Sequence, residues 1–344
     1  MKIAVDKNNY RQIKDDNEYI YLFNNETLRE LEATNLHCIR YDLCRYVDIN
    51  TTKFNIRCKK KAKITDDFDK LFSAKNYKFG IIIPNYNYAH TIEKCLDSIF
   101  NQTYRNFEII FVDDCSTDRS IDVAQKTHLK HFKGNEDKFK LVRLKQKRYN
   151  GGARNEGYLW LSEDVDYVFP IDSDDWLYDE YALDKINLAL QNDEPDVLFC
   201  GLMSCHFGHI KEERMPNYKD RYEAFSGWSG VSKIIKKDLA VRQECLYNEG
   251  TLKEDKNQHC RICFYMNDFK CLQEPIYVWN QDNTKSVTTI REQTFWGTST
   301  IRHYADTIQL ALSIQGKDKI IDKLMQERIE KCKEEMQNGG DRQY

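Results

Sequence analysis

The sequence predicts an α/β protein with a mostly parallel central sheet flanked by helices. Two observations carry that prediction. Continuous apolar runs at Phe79–Pro84, Phe107–Val112 and Tyr167–Ile171 have the length of strands buried on both faces. Between them lie segments whose apolar residues recur every three or four positions. Strands alternating with helices at this pace imply a parallel sheet.

The elements follow in chain order. Residues 1–77 are rich in Asn, Lys and Asp and contain no Pro or Gly. With the apolar stretch Tyr19–Phe23 and the basic run Arg57–Lys63, they are expected to form a small α+β appendage. A basic run of this kind is usually a solvated face. Phe79–Pro84 is the first strand of the main domain, and Ile92, Cys95, Leu96 and Ile99 mark the following helix. Phe107–Val112 is the second strand, ending at Asp113-Asp114, after which Ser116 and Asp118 are available as helix caps. Phe139–Leu144 is the third strand, and Gly151-Gly152 opens another helix. In the fourth strand, Tyr167–Ile171, Pro170 must sit where its missing N–H is harmless. Residues 179–290 are expected to complete the sheet. From Thr294 the chain reads as helical, with Ile301, Tyr304, Ile308 and Leu312 as its apolar stripe. A charged stretch, Asp318–Gln337, carries Ile320, Ile321, Leu324 and Ile329 on one side. This tail, 291–344, is expected to pack on the preceding domain or to mediate self-association.

Composition narrows the function. Of 344 residues, 41% are hydrophobic and 31% charged, and the formal charge of -3 provides no global basic field for nucleic acid. No apolar run approaches twenty residues, and no signal-like segment follows Met1-Lys2, which predicts a soluble cytoplasmic protein. Twelve cysteines then read as reduced thiols. Cys200, Cys205, His206 and His209 lie close in sequence, as do His259, Cys260 and Cys263. Their spacing fits zinc patterns loosely, and they read as buried or incidental thiols.

The chemistry concentrates in Asp172-Ser173-Asp174-Asp175. Carboxylates at i and i+2, at the end of an apolar strand, repel one another, and a hard divalent cation relieves that repulsion. A diphosphate is the usual second partner of such a cation. In parallel sheets, ligands bind outside the carboxyl ends of the strands. Pro84–Tyr86, Asp113-Asp114, Asn150–Arg154 and Asp172–Asp174 should therefore converge on one crevice.

The stretches IIIPNYNYAHTIEKCLDSIFNQTYRNFEIIFVDDCSTD, NGGARNEGY and VFPIDSDDW resemble the family 2 glycosyltransferases of the GT-A fold, a Rossmann-like arrangement. The resemblance covers residues 79 to about 178 and continues more loosely to Thr289, through NEGTLKED and PIYVW. It implies a donor half, 78–178, and an acceptor half, 179–290. It also implies a nucleotide-sugar donor (a UDP-sugar by preference), Mn²⁺ or Mg²⁺, and inversion at the transferred sugar. By position, Pro84 and Tyr86 would lie against the base, and Asp113 would accept from a uracil N–H. Asp172 would contact the ribose, with Asp174 as the metal ligand and Asp172 its second candidate. Gly152, Arg154 and Ser173 would help hold the donor. Asp255 would be the general base, with Glu254 beside it.

The residues also admit plainer roles. Asp113 or Asp114 could cap a helix, Asp175 could start one, and Tyr86 could simply pack. Trp228 suits either stacking on a sugar or base, or core packing. Cys115 stands where the family usually has Gly, so that turn is made without glycine's freedom. The acceptor expected first is a glycan or lipid-linked glycan. A phage-type enzyme glycosylating a hydroxymethylated pyrimidine in DNA is the alternative, and an inactive sugar-nucleotide-binding module is the third. The full acidic set argues against the last, because a binding module needs no base.

Overall fold

The structure, a computed structural model, describes residues 75–133, 135, 137–191, 193–227, 231–251, 253–283 and 293–337, together with strand backbone at 20–23 and 54–57. Trp228 and most of the basic run at 57–63 lie outside the described residues. The chain divides into two compact units. One comprises 1–77, 102–106 and 179–194, and the other the remainder.

In the first unit, β1 (Ile20–Phe23) pairs antiparallel with β2 (Phe54–Arg57), Ile20 facing Arg57. The second unit is built on a nine-stranded sheet. It begins with β3 (Phe79–Asn85), α1 (Ile92–Phe100), β4 (Phe107–Asp113), α2 (Ser120–Lys130), β5 (Phe139–Arg143), α3 (Tyr149–Leu159), β6 (Tyr167–Pro170) and the short β7 (Trp176–Leu177). Helix α4 (Ala182–Ala189) belongs to the first unit, where Asn187 accepts from the Tyr77 backbone N–H at 3.1 Å. The second unit resumes with β8 (Val197–His206), β9 (His209–Arg214), α5 (Arg221–Ser226), β10 (Lys233–Lys236), α6 (Lys237–Ala240), α7 (Glu254–Tyr265) and β11 (Phe269–Asn280). Two helices, α8 (Gln293–Ile314) and α9 (Lys319–Gln337), complete it.

The strand order is β5-β4-β3-β6-β10-β8-β11-β7, with β9 on β8. As expected, β3 to β6 are parallel; every residue of β3, β4 and β6 is buried, whereas the edge strand β5 is only partly so. The register sets Asn85 beside Asp113 and Asp113 beside Arg143, which aligns the strand ends. Beyond β6 the sheet becomes mixed. β10 runs antiparallel to both β6 and β8, β8 and β11 are parallel, and β7 and β9 are antiparallel to their neighbours. Pro170 closes β6, and the next residue donates to Ile82 O at 2.9 Å, so the missing N–H interrupts nothing.

The tail packs on this unit: Leu310, Ile314, Ile321 and Met325 join one buried cluster with Cys260, Ile262 and Val197. The expected stripe is not the buried one. Ile301 is 57% and Leu312 67% exposed, while His303, Thr307, Leu310 and Ile314 face inward. Helix α8 lies against both α7 and α9, and its inward Thr307 finds a partner on α7. Thr307 Oγ1, for example, lies 2.7 Å from His303 O and 3.2 Å from Asn257 Oδ1. Satisfied polar groups of this kind can be buried, so apolar periodicity alone chose the wrong face. On α9, Ile321, Met325 and Cys332 are buried, whereas Ile320 is half exposed.

Candidate active site

The ends of β3, β4, α3 and β6 are joined by side chains into one cluster. Asn85 Nδ2 donates to Asp113 Oδ1 and to Ser116 Oγ, both at 3.1 Å. Asp113 is fully buried, and its Oδ2 accepts from Ser116 N at 3.1 Å. Asp113 thus braces two strand-end loops. Ser116 likewise ties loops together instead of capping α2; its Oγ accepts from Asn87 N at 3.0 Å. Asp118 does serve α2, accepting from Ser120 N at 2.9 Å while its other oxygen takes Ala89 N at 3.0 Å. Cys115 sits at φ +65°, the left-handed conformation that the missing glycine would have adopted freely.

Asp114 holds the start of α3, accepting from Arg148 N at 2.6 Å and Tyr149 N at 2.7 Å. Lys147 Nζ lies 3.2 Å above the Tyr86 ring centroid, a cation–π contact at the rim of the crevice. Helix α3 begins at Tyr149, two residues before the glycine pair. Glycine is required at 151 by close approach: a Cβ there would lie 2.1 Å from Asn248 O. At Gly152 a Cβ would meet the Arg148 side chain at 2.3 Å, so that glycine seats Arg148. Pro84 is buried, and its carbonyl accepts from Ser173 Oγ at 2.8 Å. Ser173 therefore links β3 to β6.

The acidic turn after β6 is anchored by β11. Asp175 is buried and starts no helix; it accepts from Tyr277 Oη at 2.6 Å and Asn280 N at 2.8 Å. The Tyr277 hydroxyl also receives Asp172 N at 3.1 Å. Asp174 keeps a partly exposed carboxylate, and Asn283 Nδ2 donates to its Oδ2 at 2.8 Å. Burial, then the neighbouring Asp172 charge, pushes Asp174 up to about 6.

Arg154 links the turn to α7. Its guanidinium is buried, pairing with Asp172 Oδ1 through Nη2 and with Glu254 Oε1 through Nη1 at 2.7 Å. Burial drives the Glu254 carboxyl up, and Asp255 adds to that push while Arg154 opposes it. Asp255, next to it in the first turn of α7, is half-buried and has no hydrogen-bond or ion-pair partner among the described residues. Of the two acids, Asp255 is the one left available to an incoming group.

The donor set fits a divalent cation as a site completed by ligand. Among the described residues no group of three or more His, Cys, Asp or Glu side chains is arranged to hold a metal alone. Asp174 with Asp172 supplies one or two carboxylates. Mg²⁺ and Mn²⁺ typically take that number from protein when phosphate oxygens and waters supply the rest. Among the described residues, Cys200, Cys205, Cys260 and Cys263 are free and buried. His259, against Ala224 O at 2.8 Å, is pushed by burial down to about 3 and stays neutral.

Sequence reasoning missed Tyr277, Asn280 and Asn283. The signal was present for Asn280 and Asn283, which follow the apolar run Ile276–Val278, where the strand-end rule applies as it does elsewhere; Tyr277 lies inside that run and carried no such signal.

Comparison with known proteins adds the family. Residues 80–248, just under half of the chain, match the family model for Glycosyl transferase family 2. That span includes Pro84 through Asp174 and ends before Glu254 and Asp255. Glycosyltransferase GlyA of Streptococcus pneumoniae is 38% identical over 107 residues, covering 30% of this chain and 14% of that protein. The UDP-Glc:alpha-D-GlcNAc-diphosphoundecaprenol beta-1,3-glucosyltransferase WfgD of Escherichia coli is 30% identical over 118 residues, covering 34% of this chain and 43% of that protein. The matches thus span less than half the length of these curated relatives. Among solved structures, residues 1–349 of S. aureus TarS in complex with UDP-GlcNAc superpose with a TM-score of 0.57 at 17% identity. They cover 76% of this chain and 72% of that one. The chain has a GT-A-like glycosyltransferase fold, and the segment supplying its strand-end cluster matches glycosyl transferase family 2.

Proposed function

We propose that this protein is a metal-dependent inverting glycosyltransferase that moves a sugar from a nucleotide-sugar, a UDP-sugar by preference, to a hydroxyl of a glycan or lipid-linked glycan. The observation that carries this reading is Arg154, which joins Asp172 of the acidic turn to Glu254, next to the available carboxylate of Asp255. Donor-side and acceptor-side acids thereby belong to one site. The UDP-GlcNAc complex of the TarS neighbour and the UDP-glucose donor in the WfgD name support the donor class. The diphosphoundecaprenol acceptor in the WfgD name supports the acceptor class.

Asp174, with Asp172 beside it, would hold a divalent cation, which would supply positive charge against the developing negative charge of the departing nucleoside diphosphate. Asp172 faces the ribose, and Arg154 keeps that carboxylate oriented. Tyr86 and Lys147 form the rim on which the base stacks, next to Pro84. Asp113 and Ser173 act on the donor through the loops they brace, and Gly152 through the seating of Arg148. Asp255 takes the proton from the acceptor hydroxyl as its oxygen attacks the anomeric carbon opposite the leaving group. Glu254, held by Arg154, positions Asp255 without competing for that proton.

The test is a donor panel of UDP-, GDP- and dTDP-sugars with Mn²⁺, crossed with glycan, lipid-linked and hydroxymethylated-DNA acceptors. Mn²⁺-dependent UDP release, stimulated by a glycan acceptor, is the expected result. Absence of hydrolysis or transfer with every donor would refute the enzyme reading. Stimulation by hydroxymethylated DNA alone would replace the acceptor class.

A further inference from the structure

Asn283, just beyond β11, reaches the proposed metal ligand. It is buried, donates from Nδ2 to Asp174 Oδ2 at 2.8 Å, and its Oδ1 lies 3.0 Å from His90 Nε2. The amide orientation follows from chemistry: an ionised carboxylate only accepts, so the NH₂ group faces Asp174 and the carbonyl oxygen faces His90. His90 must then carry its proton on Nε2. A second amide acts one step away, Asn280 Nδ2 donating to the Asp174 carbonyl at 3.0 Å. Backbone and carboxylate of Asp174 are therefore each held by a separate asparagine.

We infer that Asn283 is a positioning residue, itself held by His90, that turns Asp174 to ligate the divalent cation through one oxygen, Oδ1. This rests on the metal-dependent reading above. The amide takes one acceptor site of Oδ2 and leaves Oδ1 the less engaged oxygen, which favours a one-oxygen geometry compatible with an octahedral ion that retains waters and phosphate oxygens. The clip also spans the site, since His90 follows β3 and Asn283 follows β11. Partners that orient a metal ligand commonly change metal affinity 10–100-fold.

The experiment measures Mn²⁺ binding to the full chain in the presence of UDP, by loss of the free-ion EPR signal. Asn283→Ala is expected to weaken Mn²⁺ binding about tenfold. UDP binding measured in EDTA should stay unchanged, as should the metal-free thermal midpoint. His90→Ala should weaken Mn²⁺ binding less, and His90→Gln, which restores an N–H donor, should recover it. Unchanged Mn²⁺ affinity in Asn283→Ala, with wild type binding normally, overturns the clip and leaves the functional reading standing. Equal losses of Mn²⁺ binding, metal-free UDP binding and thermal midpoint also overturn it, because they mark a structural role. A wild-type protein that takes up no Mn²⁺ with UDP overturns the clip and the metal-dependent reading together.

Discussion

Replacing Asp174 with Asn should make the metal-free protein more stable at high pH while removing the proposed metal ligand. The folded carboxyl is raised from 3.8 to about 6 by burial and by Asp172. At 1.36 kcal/mol per unit, this is a destabilisation of at most about 3 kcal/mol, since part of the carboxyl still meets water. The sign follows from the direction of the shift. A carboxyl raised on folding contributes stability below its unfolded value near 4, and that stability is lost as pH rises through about 6. Linkage places about 1.4 kcal/mol of this loss between pH 5 and pH 8. The side-chain amide of Asn has no titration and can still accept from Asn283. In EDTA, urea unfolding of wild type and Asp174→Asn at both pH values should therefore show a stability gap that widens in favour of the variant by about that amount. Mn²⁺ with UDP should stabilise wild type alone. Parallel pH profiles for the two proteins would refute the argument, because they would mean that Asp174 is already ionised without a cation.

Three other outcomes are expected. Arg154→Leu strands two acids and should cost about 3–5 kcal/mol in urea unfolding, whereas Arg154→Leu with Glu254→Leu should recover much of that loss; additive losses would argue against a coupled pair. Asp255→Asn should lower kcat by roughly 10²–10⁴ with little change in donor KM, and a larger effect from Glu254→Gln than from Asp255→Asn would reverse the assignment of the base. Cys115→Gly relieves the left-handed backbone at φ +65° but adds freedom to the unfolded chain, so a net gain of about 0.5 kcal/mol is expected, read as a higher thermal midpoint.

Much of the strand-end cluster was legible because its signals are local. Buried parallel strands are unbroken apolar runs, and polar residues at their ends must lie where ligands bind. That rule brought Asn85, Asp113, Arg154 and Asp172 into one cluster from sequence alone. What each side chain does inside the cluster was not local. The burial of Asp113 depends on Asn85 and Ser116 closing over it, and the use of Glu254 by Arg154 depends on a partner one hundred residues away. The change from parallel to mixed sheet was hidden because β10 (Lys-Ile-Ile-Lys) has no periodicity that fixes direction. On α8, apolar residues occupy more than one face, and the side that packs was chosen by α7 and α9.

The shortness of β10 bears on how such a protein can change over evolutionary time. It meets β6 through two residue pairs and β8 through three. A four-residue antiparallel strand is a narrow graft point, because little register must be matched across it. Recombination there could import a new set of later strands without disturbing the loops that end β3, β4 and β6. The imported piece would still have to supply what β11 and the residues just after it supply now: a tyrosine hydroxyl for Asp172 and Asp175, and two asparagine amides for Asp174. Substrate range can drift across that joint only as far as those few hydrogen bonds are reproduced.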